Sequence, residues 1–271
     1  MPNDPRPAGA AATTKIATWN VNSIKARLAH LLAWLKAAAP DILLLQETKV
    51  SDDAFPVTEI GDLGYNVAAV GQKTYNGVAV LSKRPIDVLY RALPGDGDDL
   101  QARYVEVFTC DVRVASIYAP NGNPVETGKF LYKLAWLDRL YTHVAAMLAS
   151  DDAFVLGGDY NVAPDDGDVH DPALWRNDAL CQPQSRAALR KITILGLTDA
   201  IRDLNPEARG RYTWWDYRAG AFGADQGLRI DHLLLSPQAA DRLIAADIDR
   251  TPRAWERPSD HAPVWCTLQN G

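Results

Sequence analysis

The chain has 271 residues, 47% apolar and 23% charged, which suits a packed core and excludes a disordered polymer. Its net charge of −6 excludes a globally basic nucleic-acid coat, though not a local basic rim around an acidic metal site. Three scattered cysteines, Cys110, Cys181 and Cys266, lack CxxC or Cys/His spacing, so neither a disulfide framework nor a zinc site is expected.

Residues 1–14 read as a polar, Pro/Ala-rich extension rather than a signal peptide. No apolar run is long enough to span a bilayer, so no membrane contact and a cytoplasmic location are expected. A first strand is predicted over 15–19, ending at Asn20, followed by an amphipathic helix over about 24–38 carrying Leu28, Leu31, Leu32 and Leu35. Pro40-Asp41 stops that helix. Ile42-Leu43-Leu44-Leu45 is continuously apolar, as a strand covered on both faces should be, and runs into Gln46-Glu47-Thr48-Lys49. Strand-like runs recur at 65–70, 78–82 and 86–90, and a hairpin joins 103–109 to 112–118 through Cys110-Asp111. A long helix covers about 129–149, and Phe154-Val155-Leu156 then closes on Gly157-Gly158-Asp159-Tyr160-Asn161. A loop fills 163–183, a helix about 185–195, and a short helix follows Thr198. Residues 210–229 read as an ordered aromatic, Gly-rich loop, with closing strands at 230–235 and 264–268. Strands and helices alternate without a linker, giving an α/β (α+β) class and one domain over 15–271.

Strand after strand ends in a carboxylate or carboxamide. Buried polar groups are costly without partners, so these ends are expected to converge on one another and on a metal ion. Glu47 is either a solvated loop carboxylate or a ligand to a hard cation; Mg2+ prefers oxygen donors and needs only one or two carboxylates. Asn20 either caps the following helix, joins the same shell or holds Glu47 in place. The paired glycines allow a tight turn, and Asp159 and Asn161, two apart, face the same way in extended chain. An Asp there can activate water and an Asn can hold a substrate oxygen; the alternative is an Asx-turn. Asp231 sits in an otherwise apolar strand and needs a partner. His232 is adjacent and points to the opposite face, which leaves His261 as the preferred partner and an Arg229 pair as the alternative. Asp260 beside His261 extends the metal shell, and Tyr118 is either a rim aromatic or a donor to a phosphate oxygen. Trp214, Trp215 and Tyr217 lie among Arg211 and Arg218, a combination suited to nucleic acid, with a core role open for Trp215. The set holds no thiol nucleophile and no GxSxG, and it fits metal-assisted phosphoester hydrolysis.

Taken together, Trp19-Asn20-Val21-Asn22, Leu45-Gln46-Glu47-Thr48-Lys49, Gly158-Asp159-Tyr160-Asn161, Trp214-Trp215-Asp216-Tyr217-Arg218, Gly227-Leu228-Arg229-Ile230-Asp231 and Ser259-Asp260-His261-Ala262-Pro263-Val264 resemble the exonuclease III family of apurinic/apyrimidinic (AP) endonucleases. The likeness covers about 15–268, within the broader endonuclease/exonuclease/phosphatase superfamily. It implies a four-layered α/β sandwich, two packed, mainly antiparallel sheets flanked by helices. It also implies Mg2+, with Mn2+ as substitute, on Glu47 with Asn20, Asn22 and Asp260 nearby. Asp159 would activate the water, aligned by Asn161; Tyr118 and His261 would contact the scissile phosphate, with Asp231 holding His261. Trp214 and Leu228 would line a pocket for the baseless sugar; Lys49 and Arg103 would meet the DNA backbone, and Asn121 a groove. The implied partner is double-stranded DNA with abasic sites or 3′ ends, bound by a monomer. His170, in the loop after Asp159, is expected to limit passage of the 5′ side of an internal break and to favour 3′ ends. The rival functions are another phosphodiesterase of the superfamily and a DNA-binding protein without catalysis.

Overall fold

The structure, a computed structural model, describes residues 12–271; residues 1–11 of the expected extension lie outside the described residues. The first strand, β1 (Thr13–Asn20), begins two residues earlier than its apolar pattern predicts, because Thr13 and Thr14 pair with Gln269 and Leu268. Helix α1 (Ile24–Ala38) starts at Ser23, whose hydroxyl accepts the Ala26 N–H, and ends at left-handed Ala39 before Pro40. There follow β2 (Ile42–Gln46), the short α2 (Val57–Gly61), β3 (Asn66–Val70), β4 (Val78–Ser82) and β5 (Asp87–Tyr90). The expected hairpin is β6 (Tyr104–Thr109) and β7 (Val112–Tyr118), turned by two left-handed residues, Cys110 and Asp111, that match the twist of the strands. Helix α3 (Gly128–Leu148), capped by Thr127, leads to β8 (Phe154–Asp159).

The Asp-rich stretch expected as loop contains a 3-10 turn (Asp166–Asp168) and a short helix, α4 (Pro172–Trp175), before α5 (Pro183–Thr193), β9 (Thr198–Asp199) and α6 (Ala200–Leu204). The aromatic loop holds a small ribbon of β10 (Trp214–Trp215) and β11 (Gly227–Leu228). The chain closes with β12 (Asp231–Leu235), α7 (Pro237–Ala240), β13 (Leu243–Ile248) and β14 (Val264–Gln269). Strand β13 has no sequence signature. It is a half-exposed edge strand with two alanines at its centre, so its faces do not alternate.

Two six-stranded sheets form, ordered β13-β14-β1-β2-β4-β3 and β5-β6-β7-β8-β12-β9. Each has one parallel pair, β1 with β2 and β7 with β8, and the rest pair antiparallel. Ile16, Ile42, Leu44 and Val80 of the first sheet meet Val105, Val114, Val155 and Leu233 of the second. Helix α1 covers the outer face of the first sheet through Leu31, Trp34 and Leu35; α3 and α5 cover the second through Trp136, Leu140, Leu189 and Ile192. This is the four-layered α/β sandwich.

Pairing direction decides where the polar ends lie. In the parallel pairs, Asn20 is level with Gln46 and Tyr118 with Asp159. Antiparallel β12 and β14 start where those strands stop, with Asp231 opposite Asp159 and Val264 opposite Thr18. The polar ends therefore share one edge of the sandwich.

Candidate active site

Glu47, Asp159 and His261 each present one ligand-type atom, and these atoms lie within 4.8 Å of one another. Glu47 takes a left-handed backbone (φ 50°) as the chain leaves β2, and the segment is braced by N–H bonds from Thr48 and Lys49 to Gly77 and Asn76 carbonyls. Asn20 bridges the cluster: its Nδ2 donates to Glu47 Oε1 at 2.8 Å and to Asp159 Oδ2 at 3.0 Å, while its Oδ1 accepts the Asn22 N–H. Asn20 therefore meets Glu47 as a donor that holds the carboxylate. Lys49 pairs with Glu47 Oε2 at 2.8 Å and donates to Asn22 Oδ1 at 2.6 Å. Asp260 is engaged on both oxygens, by Asn22 Nδ2 at 3.0 Å and by Trp214 Nε1 at 3.0 Å. With the neighbouring His261 charge, these bonds overcome burial and keep its carboxyl below the usual range.

Asp231 holds His261 through Nδ1, at 2.8 and 3.1 Å from its two oxygens, and Thr213 Oγ1 donates to Asp231 Oδ2 at 2.6 Å. His261 Nε2 faces Asp159 Oδ2 at 3.8 Å. Burial alone lowers the His261 pKa, but the Asp231 and Asp159 carboxylates win and raise it to about 10. Asp159 is pushed up to about 7, by burial first and then by the charges of Asp231 and Glu47, against the pull of His261. Burial, Glu47 and Asp159 together raise the Tyr118 phenol well above its ordinary value, so it remains a donor at neutral pH. Ser259 anchors the segment: its Oγ donates to the Asn20 carbonyl at 2.6 Å, and Trp19 Nε1 donates to the His261 carbonyl at 3.2 Å. Arg229, the alternative partner of Asp231, pairs with Asp168 and Asp199, and His232 turns to that opposite network.

Two local expectations are corrected. Gly157 and Gly158 lie inside β8 and do not form the turn; they allow close approach. A Cβ on Gly158 would sit 1.9 Å from the Ile117 carbonyl oxygen, and one on Gly157 2.5 Å from Leu44 Cδ1. Asp159 and Asn161 do not share extended chain. Asn161 is left-handed (φ 50°), and its N–H donates to Asp159 Oδ1 at 2.8 Å, the Asx-turn geometry. Both side chains nevertheless line one cavity of 290 Å3, together with Glu47, Tyr118, Asp260 and His261. Asn161 Nδ2 donates to the Ala119 carbonyl, and its Oδ1 accepts Asn121 Nδ2 at 3.1 Å.

Residues 17–261 match the profile described as the Endonuclease/Exonuclease/phosphatase family. The chain belongs to the endonuclease/exonuclease/phosphatase family. It is 35% identical to exodeoxyribonuclease III of Haemophilus influenzae over 94% of this chain and 100% of that protein. Among solved structures it resembles the 3′ phosphatase NExo from Neisseria bound to a product DNA hairpin, with 41% identity, TM-score 0.91, and 94% and 99% of the two chains covered. It also resembles an AP endonuclease from Archaeoglobus fulgidus, with 38% identity, TM-score 0.90, and 94% and 99% covered.

In this member of the endonuclease/exonuclease/phosphatase family the expected aromatic-basic cluster is divided. Trp214 faces the cavity, Trp215 is fully buried in a separate core, and Tyr217 meets Asn22 and Arg27 at the surface. Arg211 pairs with Asp247. Leu228 pairs with Trp214 across the β10–β11 ribbon and is fully buried; Ile230 and Leu180 supply the apolar cavity wall in its place. Arg103 stacks on the Tyr118 ring, 4.7 Å from its centroid. Trp175, which sequence reading passed over, packs edge-on against Trp214 at 5.7 Å, with His170 behind it at 6.3 Å. Its only sequence signal is one Trp within a polar loop.

Proposed function

We propose that this chain is a metal-dependent DNA-repair nuclease that acts on duplex DNA as an AP endonuclease, 3′–5′ exonuclease and 3′ phosphatase. The convergence of Glu47, Asp159 and His261 at one sheet edge carries the reading, because it sets oxygen donors beside a fixed imidazolium. The names of the relatives, an exodeoxyribonuclease, a 3′ phosphatase bound to DNA and an AP endonuclease, support the substrate class.

The donor set fits Mg2+ or Mn2+. Glu47 and Asp159 offer carboxylate oxygens within the cluster, Glu47 partly exposed; Asp260 lines the same cavity, and no thiol is present there. Asn20 and Asn22 are proposed to position those ligands through their amide N–H groups. A cation bound there supplies Lewis-acid charge at the phosphate oxygens.

Asp159, near 7, is poised to take the proton of the attacking water, and Asn161 and Asn121 orient the phosphate beside it. Tyr118 donates to a phosphate oxygen, and the His261 imidazolium stabilises the charge that builds up on the phosphoryl oxygens. Asp231 keeps that ring charged and oriented. Trp214, held by its pairing with Leu228, is proposed to seat the baseless sugar against Ile230 and Leu180, while Lys49 and Arg103 meet the DNA backbone. The chain is proposed to act as a cytoplasmic monomer.

The test is nicking of an abasic duplex and resection of a recessed 3′ end, each with Mg2+ and with EDTA. Metal-dependent cleavage that leaves 3′-hydroxyl ends is expected, and Glu47→Ala should abolish it with the fold intact. Cleavage that persists in EDTA, or undiminished in the Ala variant, refutes the metal role.

A further inference from the structure

Lys133 sits within α3 and is fully buried, a position its helix shares with Trp136, Leu137 and Leu140. A buried ammonium is costly unless each of its N–H groups finds an acceptor. Lys133 Nζ has three: the carbonyls of Asn121 at 3.0 Å, Asn161 at 2.5 Å and Ala179 at 3.2 Å. These carbonyls belong to three separate loops, one leaving β7 after Tyr118, one leaving β8 after Asp159 and one joining α4 to α5. Each loop contributes to the cavity wall, through Asn121, Asn161, and Asp178 with Leu180.

Two backbone features mark the attachment as built. Asn161 is left-handed and closed by its own N–H on Asp159 Oδ1, and this turn aims its carbonyl at the lysine. Gly122 has φ 91°, and a Cβ there would lie 2.7 Å from Lys133 Cδ and 3.2 Å from Ala179 Cβ, so the loop is laid directly on the lysine stem. The ammonium itself is enclosed and has no path to bulk DNA phosphates.

We propose that Lys133 is a positioning residue that fastens three cavity loops to α3 at one point and thereby sets the Asn161 and Asn121 amides against the scissile phosphate. The proposal rests on the nuclease reading above. Burial pushes the ammonium down to about 7, opposed by Asp159 and Asp178, so the fold carries a desolvated amine whose cost the three carbonyl bonds offset. That cost is explained by the work of the three bonds on the cavity. An effect on turnover with little effect on DNA grip follows, because misplacing a reacting group by about 1 Å can cost about 100-fold in rate.

The full chain, Lys133→Met, Gly122→Ala and Val144→Ala are compared on an abasic duplex with Mg2+, by kcat and KM. Anisotropy of labelled duplex in EDTA and thermal melting accompany the kinetics. Val144 is buried on the same helix within the hydrophobic cluster behind the second sheet, and it gauges simple destabilisation. Lys133→Met is expected to lose about 100-fold in kcat with near wild-type DNA affinity, whereas Val144→Ala melts earlier and keeps its kcat. Gly122→Ala should show the same split and decides the matter if Lys133→Met does not fold. The proposal is overturned if kcat is retained in the Lys133 and Gly122 variants. It is equally overturned if the loss appears in DNA affinity instead, or if Val144→Ala loses kcat to the same degree. An inactive wild type overturns the nuclease reading and this inference with it; an active wild type with an intact Lys133→Met overturns this inference alone.

Discussion

At His261 burial and charge pull in opposite directions, and charge wins. The ring is buried but for the edge that lines the cavity, and two carboxylates flank it, so it carries its proton across the neutral range. A fixed positive charge beside a phosphate acts mainly on the transition state, where charge builds up. For His261→Ala we therefore expect turnover to fall by about 10²–10³-fold with DNA affinity retained, checked by single-turnover cleavage and by anisotropy in EDTA. A matched loss of affinity would mean that the ring grips the ground state instead. Much at this scale was legible in the chain. Strand alternation sent His232 away from Asp231 and left His261 as partner, as found. The hand of the Asn20 amide was not legible. Which end faces Glu47 is decided by Asp159 and by the Asn22 N–H, and neither contact is encoded next to Asn20.

Individual elements were read best where apolar runs are long. Strands β2 and β4 were placed nearly to the residue, because burial on both faces leaves an uninterrupted signature, whereas β8 runs three residues beyond the expected Phe154-Val155-Leu156. Strand β13 was missed because a half-exposed edge strand needs no such pattern. The loop between β8 and α5 walls one side of the cavity through Asn161, Trp175, Asp178 and Leu180. Its His170 N–H donates to the Gly227 carbonyl at 3.1 Å, and its ring backs Trp175, which in turn backs Trp214 on the cavity wall. Replacement by glycine removes that backing and opens the rim. His170→Gly is accordingly expected to raise internal nicking of an abasic duplex relative to resection of a recessed 3′ end, severalfold, read from the ratio of the two initial rates. An unchanged ratio rules the loop out as a discriminator.

At the scale of the molecule, the second sheet and α3 are joined by a buried polar knot around Glu106, which bonds to Tyr104, Arg113 and, at 2.7 Å, His143. Burial pushes the Glu106 carboxyl up, but the bonds from His143, Tyr104 and Arg113 and the arginine charge outweigh it, leaving it below its ordinary 4.5. Below that value the unfolded chain binds a proton that the folded chain resists. This part of the stability is thus present above pH 4.5 and is lost as pH falls through the folded-state value. Glu106→Gln should cost about 3–5 kcal/mol at neutral pH, by stranding Arg113, and should flatten the acid loss of stability, measured by urea unfolding at neutral and acid pH. An acid limb as steep as that of the wild type would place the titrating group elsewhere. The sequence by itself determined the alternation of strands and helices and the polar residues that end the strands, since both follow from short-range periodicity and from the cost of burying unpaired polar groups. Only the tertiary structure decided that Ile230 and Leu180 wall the cavity in place of Leu228, that Trp215 belongs to the core, and that Lys133 reaches three loops at once. Each of these depends on which distant segments lie side by side, and that is set by sheet order and packing rather than by any residue's neighbours along the chain.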